Sequence, residues 1–148
     1  MRIGIIADTH GVLPAGARHA LAGVSLILHA GDIGSPAVMT ELGALARVVA
    51  VRGNTDVGAG AQEPLTQRLL LEGVDIFLCH DPSLAVNLTP PPRVIVHGHT
   101  HQPKNLEIAG ILWFNPGSAT RPRPAQLGAT VGILTVERGM VQAEIVSL

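Results

Sequence analysis

The chain has 148 residues, 47% of them apolar and only 14% charged, with a formal net charge of −1. That length suits one compact domain with a real core, residues 1–148, and the charged fraction falls well below the roughly 25% of ordinary soluble proteins. One Lys among ten basic residues provides neither a nucleic-acid-binding stripe nor a polybasic membrane patch.

Arg2 to Ala7 is a continuous apolar run, the mark of a strand buried on both faces, and it ends in Asp8-Thr9-His10-Gly11. Leu13 to Ala22 is predicted helical, with Pro14 in the first turn and Gly23 as the stop. Ser25 to His29 is a second strand, ending in Ala30-Gly31-Asp32. Pro36 to Ala46 is a second helix with Ser35 as N-cap. Val48 to Val51 is a third strand, leading to Arg52-Gly53-Asn54-Thr55-Asp56. This β-α-β-α-β order predicts a parallel sheet with right-handed crossovers.

Gly58-Ala59-Gly60 opens a loop, after which the pattern turns to short strands. Arg68 to Leu71 and Val74 to Leu78 flank a Glu72-Gly73 turn, and the second leads into Cys79-His80-Asp81. Leu84 to Leu88 is read as a short helix and Pro90-Pro91-Pro92 as a stiff connection. Val94-Ile95-Val96 is a buried strand running into His97, His99 and His101, whose alternation on an extended backbone would point their rings one way. Lys104 to Ile108 and Ile111 to Phe114 form a hairpin, followed by Asn115-Pro116-Gly117-Ser118 and the loop Arg121-Pro122-Arg123-Pro124. Thr130 to Glu137 and Met140 to Val146 close the chain as a second hairpin.

Cys79 is the single cysteine, so there is no disulfide framework and no thiolate zinc cluster. No apolar run is long enough to span a membrane, and a cytoplasmic protein is expected. The sparse charge leaves two explanations open: a surface covered by a second copy in a homodimer, or simple abundance of Ala and Gly.

Functional groups of open α/β sheets gather beyond the carboxyl ends of the strands. Five strands here end in metal-type ligands: Asp8 and His10, Asp32, Asn54, His80, then His99 and His101. Each alone has another explanation, such as a helix cap for either Asp, a turn for Asn54 or a core histidine for His80. Together they are too many for one tetrahedral ion and suit two ions sharing a bridging carboxylate. Imidazole mixed with carboxylate and amide points to Mn²⁺, Fe²⁺ or Zn²⁺ rather than Ca²⁺ or Mg²⁺ alone. Two divalent ions outweigh Asp8, Asp32 and a bridging hydroxide, so the site would attract an anion and offer a nucleophile near neutral pH. Phosphate ester hydrolysis fits this. His19, His29 and His97 are read as structural, with His97 also placed to support the ligands from behind.

The ordered set Asp8-Thr9-His10, Gly31-Asp32, Gly53-Asn54-Thr55-Asp56, His80 and Gly98-His99-Thr100-His101 resembles the calcineurin-like metallophosphoesterase superfamily. Asn115-Pro116-Gly117-Ser118 and the short chain resemble its small bacterial and archaeal phosphodiesterase branch. The resemblance implies a four-layer α/β/β/α sandwich of two mixed sheets. It also implies that Asp8, His10 and His101 hold one ion, Asn54, His80 and His99 the other, and that Asp32 bridges. Manganese is favoured as the metal, with Zn, Fe or Ni as alternatives.

Many relatives place a histidine, thought to protonate the leaving group, where Thr55 stands, and threonine is no acid near neutral pH. Asp56 is expected either to orient His10 or His99 or to serve a turn. Asn54 could add a hydrogen bond to the phosphate while ligating. Asp81, where a glycine is usual, either adds charge near the site or caps the helix after it. Arg52 is near the site in sequence, and Arg121 and Arg123 are read as a solvated turn. A small phosphodiester is the expected substrate. Two alternatives are a phosphomonoesterase of the same fold and a non-catalytic interaction scaffold that retains the metal site.

Overall fold

The structure is a computed structural model and describes residues 1–58 and 61–148. Part of the loop expected to open at Gly58-Ala59-Gly60 thus lies outside the described residues. Among the described residues, ten strands form two five-stranded sheets. The first runs in the order β10-β9-β1-β2-β3, from β1 (Arg2–Ile6), β2 (Leu26–His29), β3 (Arg47–Ala50), β9 (Thr130–Glu137) and β10 (Met140–Ser147). β1, β2 and β3 pair in parallel, as the β-α-β-α-β reading required, and β9 returns antiparallel to β1. The second sheet runs β4-β5-β6-β8-β7, from β4 (Thr66–Leu71), β5 (Val74–Cys79), β6 (Val94–Val96), β7 (Pro103–Ile108) and β8 (Ile111–Pro116). Its central three strands, β5, β6 and β8, are parallel.

Alternation along the strands builds the layers. Ile3 and Ile5 point between the sheets and meet Leu28, Val94, Val96, Phe114 and Leu134 in the central core. Ile6, Ile27 and Ile133 point outward and are covered by Leu21, Val38 and Leu42 of the helical layer. That layer consists of α1 (Ala15–Ala20) and α2 (Pro36–Gly43). Ser35 caps α2 by accepting the Ala37 N–H at 3.2 Å. α1 is shorter than the sequence pattern suggests, and Pro14 is its N-cap residue, without a capping side-chain bond.

The outer layer on the second sheet is thin. The helix expected over Leu84 to Leu88 is a 3₁₀ turn at Pro82–Ala85. Asp81 caps it by accepting the Ser83 N–H at 2.8 Å. Asn87 has a positive φ of 60° and prolines 90–92 follow, so the segment cannot propagate a longer helix. Beneath the turn, Phe77, Cys79, Ala85 and Ile95 form a small cluster. Burial pushes the Cys79 thiol up to about 12, in line with a packing role. No helix among the described residues is long and apolar enough to cross a membrane.

Candidate metal centre

The parallel strands of both sheets deliver their carboxyl ends to one edge of the sandwich. The loop after β1 carries Asp8 and His10, that after β2 carries Asp32, and that after β3 carries Asn54. The second sheet adds His80 after β5, and His99 and His101 after β6. Six of these seven side chains fall into two overlapping groups, and His99 joins through Asn54. Ligand atoms of Asp8, His10, Asp32 and His101 all lie within 4.8 Å of one another. On the other side of Asp32, His80 Nε2 is 3.4 Å from its Oδ1 and 3.0 Å from Asn54 Oδ1. His99 Nδ1 is 3.1 Å from the same Asn54 oxygen.

The backbone is bent hard to achieve this. Asp8, His10, Asp32, His99 and His101 all have positive φ, between 46° and 70°. This left-handed region is uncommon for residues other than glycine, and such strain collects at functional sites. Close approach also fixes the glycine before Asn54: a Cβ at Gly53 would lie 2.0 Å from Asp32 Oδ1. At Gly31, with φ +89°, a Cβ would lie 2.6 Å from the His80 ring.

The convergence of His99 and His101 has a different cause from the one expected. Strand β6 ends at Val96, so the pair is not held by strand alternation. Their separately turned backbones send His101 toward Asp8 and His10, and His99 toward Asn54 and His80. The two rings serve opposite ends of one cradle.

Hydrogen bonds assign the ring tautomers. His80 Nδ1 is 2.7 Å from Ala30 O and His101 Nδ1 is 2.7 Å from Arg121 O, so each of these nitrogens carries the hydrogen. The Nε2 lone pair of neutral His80 then faces two further acceptors, Asn54 Oδ1 and Asp32 Oδ1. The Nε2 lone pair of neutral His101 faces Asp8 Oδ1 at 3.2 Å. Acceptors aimed at acceptors need a cation between them, either a proton or a metal ion. Asp8 makes the point most strongly. It is fully buried, and neither carboxylate oxygen has a hydrogen-bond partner among the described residues. The residues therefore fit a metal cluster. Burial raises the Asp8 carboxyl to about 7, despite opposing attraction from His80. Asp32 differs. Burial pushes it up, but the His80 ring, which donates from Nε2 and attracts the carboxylate once it is protonated, and the Thr55 N–H outweigh this and hold it below the ordinary carboxylate range.

Asp56 does not orient His10 or His99. Its carboxylate accepts the backbone N–H groups of Ile33, Gly34 and Gly53, at 3.1, 2.9 and 2.8 Å, and so ties the loops after β2 and β3 together. Arg52 is likewise a loop brace, reaching Ala61 O and standing outside the lining of the cradle. Arg121 and Arg123, in contrast, are not simply a solvated turn: both line the cradle beside His10, Asp32, Asn54 and His99.

Several supporting residues have little signal of their own in the sequence. Buried His29 accepts the Gly31 N–H on Nδ1 at 3.2 Å, so its Nε2–H donates to Thr9 Oγ1 at 3.0 Å. Thr9 passes its own hydrogen to Ile33 O at 2.9 Å. This chain locks the first two loops together beneath Asp8, His10 and Asp32. Ser118 and Thr120 hydroxyls both donate to Asp8 O at 2.9 Å. Asn115 Nδ2 donates to Gly98 O and to Thr100 Oγ1, at 2.9 and 3.0 Å. His97 donates from Nδ1 to Gly98 O at 3.1 Å and packs edge-on against Trp113.

Residues 1–139 match the model of the calcineurin-like phosphoesterase superfamily domain. A probable metallophosphoesterase of Methanothermobacter thermautotrophicus is 35% identical, the match covering 99% of this chain and 92% of that protein. Phosphodiesterase YfcE of Escherichia coli is 32% identical, over 86% of each. Among solved structures, an archaeal phosphodiesterase superposes with a TM-score of 0.81 at 24% identity, covering 99% of this chain and all of the other. Zinc-bound Vps29 of Entamoeba histolytica superposes with a TM-score of 0.75 at 21% identity, covering 99% and 98%. With the two-sheet fold and the loop-borne cluster already in place, these matches show that the chain belongs to the calcineurin-like phosphoesterase superfamily.

Proposed function

We propose that this chain is a binuclear metal-dependent phosphodiesterase. The observation that carries the reading is the fully buried Asp8 carboxylate, without a hydrogen-bond partner among the described residues, beside imidazoles whose free nitrogens face acceptors. Asp8, His10 and His101 would hold one ion, and Asn54, His80 and His99 a second, with Asp32 shared. Mn²⁺ is favoured, with Zn²⁺, Fe²⁺ or Ni²⁺ as alternatives. Such ions supply an acidified water as nucleophile and neutralise phosphate oxygens.

The chain's own groups do the remaining work. The Ala30 and Arg121 carbonyls hold His80 and His101 with their Nε2 atoms toward the cluster. The Thr55 N–H restrains Asp32 at 2.9 Å. Arg121 and Arg123 give the mouth a positive potential that draws in an anionic ester. Thr55 cannot deliver a proton near neutral pH, so the departing oxygen takes its proton from water. The name of the YfcE relative supports a diester over a monoester. The two arginines support the second reading, a monoesterase, because they could neutralise the additional charge of that substrate.

The test is hydrolysis of bis(p-nitrophenyl) phosphate and p-nitrophenyl phosphate by metal-stripped protein, with each ion and Mg²⁺ added back. Metal-restored turnover favouring the diester is expected. A monoester preference moves the substrate class. No turnover with ions bound overturns the enzyme reading in favour of a binding platform.

A further inference from the structure

A second cavity, of about 370 Å³, adjoins the cradle. The two share Thr55, which lines both. The second is framed by the turn into α2 on one side and the loop after β3 on the other. Ile33, Pro36, Met39 and Val57 supply apolar surface, and Gln62 and Glu63 polar groups at the edge. A cavity of about 150 Å³ already admits a benzene ring, so this one has room for an aromatic or short aliphatic substituent. The Asp56 carboxylate in its wall is engaged by three backbone N–H groups. No Lys or Arg lines the cavity among the described residues. The cradle's own mouth has the opposite character, with Arg121 and Arg123.

Resting on the phosphodiesterase reading, we infer that this second cavity binds one ester substituent of the substrate, an apolar group that is neutral or cationic. The phosphate sits in the cradle, and an anionic second substituent faces the arginines. The substrate class is therefore an asymmetric phosphodiester. A polyanionic strand is a poor fit, because it would set a further phosphate beside Glu63 with no basic group to meet it. Hydrolysis adds the oxygen of water to phosphorus and breaks one P–O ester bond, and the departing oxygen takes up a proton of that water.

The experiment is calorimetric binding of inorganic phosphate, phenylphosphonate and 4-(aminomethyl)phenylphosphonate to Mn²⁺-loaded protein. Two variants narrow the cavity: Met39→Trp from the helix, and Val57→Trp from a residue 75% exposed, where folding is not at risk. Both should weaken phenylphosphonate by roughly tenfold or more, the loss of about 1.4 kcal/mol of contact, and leave inorganic phosphate within about twofold. The aminomethyl compound should bind about threefold more tightly than phenylphosphonate, an advantage that Glu63→Gln removes. Phenylphosphonate binding unchanged in both Trp variants overturns the inference while the cradle reading stands. Failure of inorganic phosphate to bind the wild-type protein overturns the reading beneath it.

Discussion

Asp8 and Asp32 end neighbouring parallel strands and contribute to one cluster, yet their surroundings are opposite. Asp32 accepts the Thr55 N–H and faces His80, and is held ionised. Among the described residues Asp8 has no hydrogen-bond partner on either side-chain oxygen, and it is raised to about 7 by burial. One carboxylate is stabilised by the protein itself, and the other is left to a cation, a proton or a metal ion. The cluster is therefore asymmetric before any ion binds, and the Asp8 side has more to gain from one.

Replacing each carboxylate by its amide should break this symmetry most visibly. Both Asp8→Asn and Asp32→Asn should lower metal-restored hydrolysis by about 100-fold or more, since even outer-shell losses reach that range. Their metal-free stabilities should move in opposite directions. At pH 8, Asp8→Asn removes an unpaired buried charge, and the new amide can donate to the His101 Nε2 lone pair. We expect a gain of about 2 kcal/mol by urea denaturation with chelator present. Asp32→Asn loses its charge-assisted partners and should cost about 2 kcal/mol. The Asp8 effect has a defined pH window. A carboxyl raised from 3.8 to about 7 contributes stability fully present below pH 3.8 and lost as pH rises through 7. The gain in Asp8→Asn should thus shrink on acidification. An equal loss of stability in both variants would show that Asp8 is satisfied by the protein after all.

The two carboxylates share a foundation in the His29–Thr9 chain, and its disruption should be the next largest effect. Burial holds the His29 pKa down from 6.5 to about 4. Its contribution is present above pH 6.5 and is lost as pH falls through 4, because the unfolded chain takes up the proton more readily. That amounts to roughly 3 kcal/mol across the window. His29→Gln cannot titrate and should flatten this acid limb of the stability curve. It should also lower hydrolysis by about tenfold at neutral pH, as the two loops lose their mutual lock. Unchanged acid sensitivity in the variant would assign the limb to other groups.

The sequence made the first half of the fold and all seven cluster residues legible for one reason. Parallel strands of α/β sheets are continuous apolar runs, and whatever follows them reaches the same edge. The bracing residues were harder to see, because Thr9, Ser118 and Thr120 bond backbone groups and no pairing pattern in the chain announces such bonds. Position was their only signal: Thr9 stands between two candidate ligands, and Ser118 closes a family-like segment. Asp56 was ambiguous because a carboxylate beside a site suits a histidine partner and a turn equally, and it is the three loop N–H groups occupying it that decide for the loop. The arginines depended on where the loop at 119–128 folds back. His101 Nδ1 anchors that loop through the Arg121 carbonyl, a tertiary contact beyond any local pattern. The thin outer layer had a local cause in prolines 90–92, whereas the residues Leu84 to Leu88 alone read as a short helix.

The smallest effect sharpens the comparison at the backbone of Asp8. Its side chain lacks hydrogen-bond partners among the described residues, but its carbonyl oxygen has two, the hydroxyls of Ser118 and Thr120, each at 2.9 Å. Ser118 Oγ also accepts the N–H groups of Thr120 and Arg121, at 3.2 and 2.8 Å. Ser118→Ala should therefore cost about 1 kcal/mol, and Thr120→Val less, because either hydroxyl alone still satisfies the Asp8 carbonyl. Removing both leaves that buried carbonyl without its side-chain donors, so the double variant should cost more than the sum of the singles. A double-mutant cycle in urea, run with and without Mn²⁺, measures the coupling. Strict additivity would mean that the two hydroxyls do not share the task of holding Asp8 in its left-handed conformation, and that the strain at φ 53° is borne elsewhere.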